Sequence, residues 1–406
     1  MLLIEYAVDS SATHSAIETV RTSAWLLLVA TLIGMTARRF RVPYAVALVI
    51  GGVALHELHV GTLPRLEPDV LFFVFLPPLL FDAAFRLETG RVRALAAPVL
   101  LLAVAGVFAS ALFVGLVCHV SLDLSIASAL LLGAMVAATD PIAVVSIFHE
   151  LKVPDRLAFI VEAESLVNDG MAITLYAVLL DWAVTGKFRT AHSLVTFIEE
   201  VGFGIGVGVV TGLVAANITN LIDDHLIEMC LSVSLAYGSY LIADSIGGSG
   251  ALACVAAGVI HGALGRSSTM RGNVNQTLND LWEFLGFIAN AFVFLLLGLS
   301  VRIGELIDNG ARIIVAIAAV LVSRLFLTWG IHAVTQERAH GRTSRNEAAI
   351  LTWGGLRGAL TAALALALPA DTPHRDQIVA IAFGVVMFTI LVQGSTLRVV
   401  VRKLTA

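Results

Sequence analysis

The sequence predicts an all-α polytopic membrane protein of about 13 transmembrane helices, with inverted repeats and two broken crossing helices near 139–141 and 354–358. Three observations predict it. Of 406 residues, 58% are hydrophobic and only 14% charged, whereas a soluble chain carries about a quarter charged residues. Mean hydropathy is +0.92. Finally, the apolar runs recur at the spacing of bilayer-crossing helices and fill the chain, leaving no stretch for a sizeable soluble domain.

Apolar runs bounded by charges, Pro and Gly place spans near 22–37, 43–57, 68–85, 94–118, 124–148, 157–181, 193–222, 226–244, 249–265, 280–300, 311–335, 346–369 and 376–400. The first ends on Arg38 and Arg39, and the second opens after Pro43. The third carries Pro77 and Pro78, and the fourth is apolar up to Cys118. The fifth is interrupted at Thr139, Asp140 and Pro141: proline has no N–H for the carbonyl of Ala137 and disfavours helix at Asp140. The sixth holds four polar residues, Glu164, Ser165, Asn168 and Asp169, in its middle. In the seventh, Gly202, Gly204, Gly206, Gly208 and Gly212 let a neighbouring helix approach closely. The eighth and ninth are plain apolar runs, and the tenth starts on Trp282 and Glu283 and contains Asn290, three residues read as serving packing or the dimer rather than transport. The eleventh contains Arg324, read as structural or as snorkelling to the surface. The twelfth is interrupted at Gly354, Gly355 and Gly358 around Arg357, and one further span follows it, as one follows the fifth. Matched interruptions of this kind point to an inverted repeat with a binding site at their crossing.

Basic residues set the orientation. Loops after odd-numbered spans, with the C-terminal tail, carry 16 Lys and Arg residues, against 7 on the opposite side. The N-terminus is therefore expected outside and the C-terminus in the cytoplasm. The first 21 residues place acids ahead of Arg21 and have no long apolar core, unlike a cleaved leader. Cys118, Cys230 and Cys254 lie in apolar runs and read as small buried hydrophobes, neither a disulfide framework nor a metal cluster. His149, His261 and His332 sit singly near span ends and read as interfacial side chains.

Acids that cannot lie in loops carry the chemistry. Asp140, Glu162, Glu164 and Asp169 fall in or near two consecutive spans without a cation in either, and each acid at mid-membrane costs about 2.5–3.5 kcal/mol. On a 3.6-residue helix Ser165 and Asp169 share a face, while Glu164 and Asn168 form a second row about 100° away. The break at Pro141 frees backbone carbonyls beside Asp140. Carboxylate, hydroxyl and carbonyl oxygens from two helices suit a small monovalent cation, and with no His or Cys converging there, zinc and copper are disfavoured. Proton and cation would compete for the same carboxylate, and that competition couples their movements.

The stretch ATDPIAVVSIFHELKVPDRLAFIVEAESLVNDGMAITLY, with LPPLLFDAAF, WEFLGFIANAFVFLLLGL and WGGLRGALTAALAL, strongly resembles the monovalent cation:proton antiporters of the NhaP and sodium/hydrogen exchanger type. The resemblance implies exchange of Na+ or Li+ for H+ by alternating access, electroneutral and one for one because Asn168 precedes Asp169 where electrogenic relatives have two aspartates. It implies Asp169 as ion-binding and proton-carrying carboxylate, with Asp140, Ser165 and Thr139, through its backbone carbonyl, as further Na+ ligands. Glu164 resembles the acid that pairs with the arginine of the twelfth span, here Arg357, and Asp82 the third-span acid near the ion funnel. It further implies a homodimer in a prokaryotic inner membrane, built as one transmembrane domain over 1–406 without a soluble C-terminal domain. Core helices would cover about 94–181 and 311–400, interface helices about 22–85 and 226–300, and a linker helix about 193–222. The partners expected are membrane lipid, monovalent cations and protons. No cofactor and no nucleic acid is expected. A K+/H+ antiporter of the same family is the alternative. An intramembrane aspartyl protease is disfavoured, because neither aspartate stands in a YD or GxGD motif.

Overall fold

The computed structural model describes residues 10–40, 42–58, 71–87, 90, 99–187, 190–221, 224–265, 272–335 and 344–405. Among them every regular element is helical. In chain order these are α1 (Ser10–Phe40), α2 (Tyr44–Glu57), α3 (Leu76–Arg86), α4 (Gly106–Leu122), α5 (Ile126–Met135), α6 (Ile142–Glu150), α7 (Asp155–Thr185), α8 (Thr190–Thr219) and α9 (His225–Ser245). They continue with α10 (Gly250–Gly265), α11 (Gly272–Ser300), a short α12 (Ile303–Asp308), α13 (Gly310–Thr335), α14 (Arg345–Trp353), α15 (Ala359–Leu366), α16 (Arg375–Phe388) and α17 (Ser395–Thr405). Each expected span coincides with a helix or, for the fifth and twelfth, with a pair of half-helices, and seven spans are long and apolar enough to cross a bilayer by themselves. The start of the fourth span, and the topology-setting Arg41, Arg65, Arg91, Arg93, Arg189, Arg266, Arg271, Arg338 and Arg342, lie outside the described residues.

Three wide π-helical turns, Leu71–Phe75, Leu101–Ala105 and Thr389–Gly394, were not foreseen from the apolar pattern. Such turns leave an α-helical sequence signature intact while shifting the face that follows, and they cluster at functional sites.

The helices pack in two sets. α2 and α3 pack on α11, and α10 packs on α3, α8 and α9. In the other set α4 packs on α5 and α13, α5 on α7, and α16 on α13 and α15. Of the five glycines expected to admit a neighbour in α8, Gly204 lies against Ser249, just before α10, and Gly208 and Gly212 against Ala253 and Ala257 of α10, where an added methyl would crowd backbone. Gly202 and Gly206 face open space. The four-residue spacing of the first three is what one helix stripe requires.

Some side chains depart from expectation. Cys118 and Cys254 are buried, but Cys230 is exposed. Arg324 does not snorkel: it is 5% exposed. His261 is buried against Thr219, and His332 is buried beside Trp329, so only His149 keeps the exposure expected of an interfacial histidine.

Candidate cation site

The two broken spans cross at their gaps. After α5 ends at Met135, residues 136–141 are non-helical, and α14 and α15 are separated by residues 354–358. The backbone N–H of Asp140 donates to the carbonyl of Leu356 at 2.8 Å, and the Thr361 hydroxyl donates to the carbonyl of Met135 at 2.9 Å. Each gap therefore satisfies polar groups the other leaves open, which irregular backbone at membrane depth requires. A Cβ on Gly358 would overlap the Asp140 carboxylate. Gly358→Ala is accordingly expected to abolish ion exchange while the protein still inserts, measured as transport per reconstituted protein; wild-type transport would show that the crossing is loose.

Asp140 sits at two helix N-termini. Its carboxylate accepts from the N–H of Ile142 at 3.1 Å, in the first turn of α6, and from the N–H of Ala359 at the start of α15. Both ends present unpaired N–H groups and positive dipole ends to an anion. Asp169 lacks this support: its Oδ1 is shielded from solvent and has no hydrogen-bond partner. The two aspartates thus differ: backbone N–H groups serve the Asp140 carboxylate, and none serves Asp169 Oδ1.

α7 presents two rows, as the 3.6-residue spacing dictates. Ser165 and Asp169 face a cavity of about 70 Å3, which Thr139, Asp140, Asn290 and Thr361 also line. The Ser165 and Thr139 hydroxyls lie 2.9 Å apart. In the second row the Asn168 amide donates to the carbonyl of Ala137 and to the Thr139 hydroxyl, both at 3.3 Å. Ala137 is the residue whose carbonyl Pro141 cannot serve, so Asn168 satisfies the oxygen that the break sets free.

Glu164, the other member of that row, is where the expected pairing fails. Its carboxylate takes a two-pronged ion pair from Arg324 of α13, through Nη1 and, at 2.9 Å, Nη2. Arg324 also donates from Nε to the carbonyl of Leu351 at 3.2 Å, at the end of α14. Arg357 instead donates Nη1 to the carbonyl of Gly355 at 3.0 Å, and its buried Nε has no partner. Arg324 runs close over Gly355, where a Cβ would meet its Nε and Cδ. Single-span reading has no means of deciding which of two arginines reaches a given acid.

Asp82 lies outside the cavity and pairs with Arg86 at 2.6 Å, whereas its α3 neighbours Leu79, Leu80 and Ala83 are at the cavity wall. Trp282 is buried and packs against Phe81, its indole N–H donating to Ser232, whereas Glu283 is exposed, with its carboxylate 3.5 Å from Arg86. Asn290, read with them, lines the cavity instead, with its amide donating to Gly286 and its Oδ1 buried without a partner. Thr361 is a further residue the sequence reading passed over. It stands three residues beyond Gly358, in the first turn of α15, whereas Thr139 lies inside the first break.

Residues 26–403 match the family described as sodium/hydrogen exchanger, transmembrane. The chain is 38% identical over 377 residues to the Na+/H+ antiporter ApNhaP of Aphanothece halophytica, covering 93% of this chain and 72% of that protein. It is 34% identical over 392 residues to the Na+/H+ antiporter NhaH of Halobacillus dabanensis, covering 93% and 96%. Its fold is similar to that of the sodium proton antiporter MjNhaP1 from Methanocaldococcus jannaschii, with a TM-score of 0.81 at 20% identity over 96% of this chain and 99% of that one.

Proposed function

The chain belongs to the transmembrane sodium/hydrogen exchanger family, and from that premise we propose that it exchanges Na+ for H+ through the cavity between its two broken helices, with Asp169 as the exchanging carboxylate. One observation carries the assignment of Asp169: of the two aspartates at the cavity, it is the one with an oxygen that no hydrogen-bond donor serves. Asp140, fixed by two helix N-termini, is the standing anionic ligand, and Ser165 and Thr139 supply neutral oxygens. Hard oxygen ligands of this kind suit Na+ or Li+.

The charges at the crossing support one-for-one exchange. Three carboxylates, Asp140, Glu164 and Asp169, stand with two guanidinia, Arg324 and Arg357, for a net charge of minus one when all are ionised. One Na+ or one H+ brings the crossing to zero, and both loaded forms then cross the low-dielectric barrier at similar cost. The empty site keeps its charge and crosses poorly, so neither gradient is short-circuited.

The helices of about 94–181 and 311–400 form the moving core in this reading, those of about 22–85 and 226–300 the static interface of a homodimer, and 193–222 the linker. The two packing sets support this division. The protein resides in a prokaryotic inner membrane with its C-terminus cytoplasmic, as the loop charges suggest. Purified protein in liposomes with a trapped pH dye tests the reading across a series of chloride salts. Sodium should drive proton movement, and an imposed membrane potential should leave the rate unchanged. Current without proton movement would overturn exchange; a steep voltage dependence would overturn the one-for-one ratio.

A further inference from the structure

Asp140 borders two cavities. One is the cation cavity of about 70 Å3, and the other is a pocket of about 20 Å3 on its far side, lined by Arg357, Leu356, Ala143, Phe294 and Ile390 among others. Asp140 is the residue common to both. Arg357 is 1% exposed and has no carboxylate within ion-pairing distance among the described residues, its Nη1 bond to Gly355 being to a neutral carbonyl. A buried guanidinium without an anion is costly, so a chain retains one where a compensating charge is close or arrives in another state.

The surroundings hold its backbone and leave its head free. The Arg357 N–H donates to the Thr389 hydroxyl at 3.1 Å, and that hydroxyl lies 2.9 Å from the Arg357 carbonyl, so the break in the twelfth span is fastened to the wide turn Thr389–Gly394. Glu164, a carboxylate close enough for its charge to act on Arg357, already holds Arg324 by both oxygens. Asp140 has its two backbone donors, Ile142 and Ala359, and a carboxylate accepts up to about four hydrogen bonds.

We propose that Arg357 is a positioning residue that acts as an internal counter-cation for Asp140, engaging it across the small pocket when the cation site is empty and releasing it when a cation binds. The proposal rests on Asp140 being the standing anion of the cation site. Arg357 then sets how strongly the empty site attracts cations: it competes with them for Asp140, and it spares the empty site a fully uncompensated pair of aspartates.

Two measurements test this. In proteoliposomes, Arg357→Gln is expected to lower the apparent KM for Na+ by about threefold or more, through loss of the competing charge, and Arg357→Lys to restore it. An unchanged KM with only a reduced rate means a purely structural role and overturns the proposal. Thermal unfolding in detergent gives a readout that does not depend on transport. The loss of Tm in the double variant Arg357→Gln/Asp140→Asn should be smaller than the sum of the single losses. Additivity with Asp140 overturns the proposal. If Arg357→Gln does not fold, Arg357→Lys takes its place in the same cycle. Coupling to Asp140 in a protein that fails to exchange Na+ would leave the pair standing and remove the transport reading beneath it.

Discussion

Asp169→Asn is expected to reduce sodium-driven proton movement in liposomes to the protein-free background while leaving the protein folded. Asparagine keeps the size of the side chain and an oxygen that a cation can approach, so packing against Ser165 and the cavity wall is retained. What it removes is the one cavity carboxylate with a buried oxygen that lacks a donor, and with it, under the proposed function, the group on which proton and cation compete. The comparison with Asp140→Asn sharpens the expectation. Asp140 accepts N–H groups at the starts of α6 and α15, so its neutralisation weakens both the crossing and cation binding. Asp140→Asn should therefore lower thermal stability as well as transport, where Asp169→Asn lowers transport alone. Residual exchange of wild-type pH dependence in Asp169→Asn would move the proton to another group.

The sequence made the cavity side of α7 legible because helical periodicity is a property of one segment. Ser165 and Asp169 had to share a face, and Glu164 and Asn168 another, whatever surrounds them. Pro141 and the glycines around Arg357 likewise announced both interruptions, since proline lacks a donor and glycine weakens a helix locally. Across-space partners were not legible. Arg324 and Arg357 lie in different spans, and it is Arg324 of α13 that reaches Glu164. Asn290 was misplaced for the same reason: its position in α11 fits packing equally well until α11 is set beside the crossing. The wide turns escaped because residues such as those of Leu71–Phe75 and Leu101–Ala105 are as apolar as the helices they join.

Breaking the corrected ion pair should destabilise the protein strongly. Glu164 is 1% exposed and Arg324 5%. With both charges desolvated, loss of either partner strands the other without water, a penalty of about 3–5 kcal/mol for buried pairs. Glu164→Gln leaves Arg324 with the Leu351 carbonyl alone and adds uncompensated positive charge beside Arg357. Arg324→Met strands the Glu164 carboxylate one residue from Ser165, within the same α7 segment that carries Asp169. Each single variant is therefore expected to lose most of its monodisperse fraction on mild heating in detergent. The double variant Glu164→Gln/Arg324→Met, with a neutral pair of similar volume, should recover most of that loss, because the attraction and the desolvation of such a pair nearly offset each other. If Arg324 merely reached for the surface, Arg324→Met would be as heat-stable as the parent and would show no coupling to Glu164. A pair that stabilises without touching the cavity also predicts the transport outcome: the double variant, once folded, should still exchange Na+ for H+, because its net charge at the crossing is unchanged at minus one.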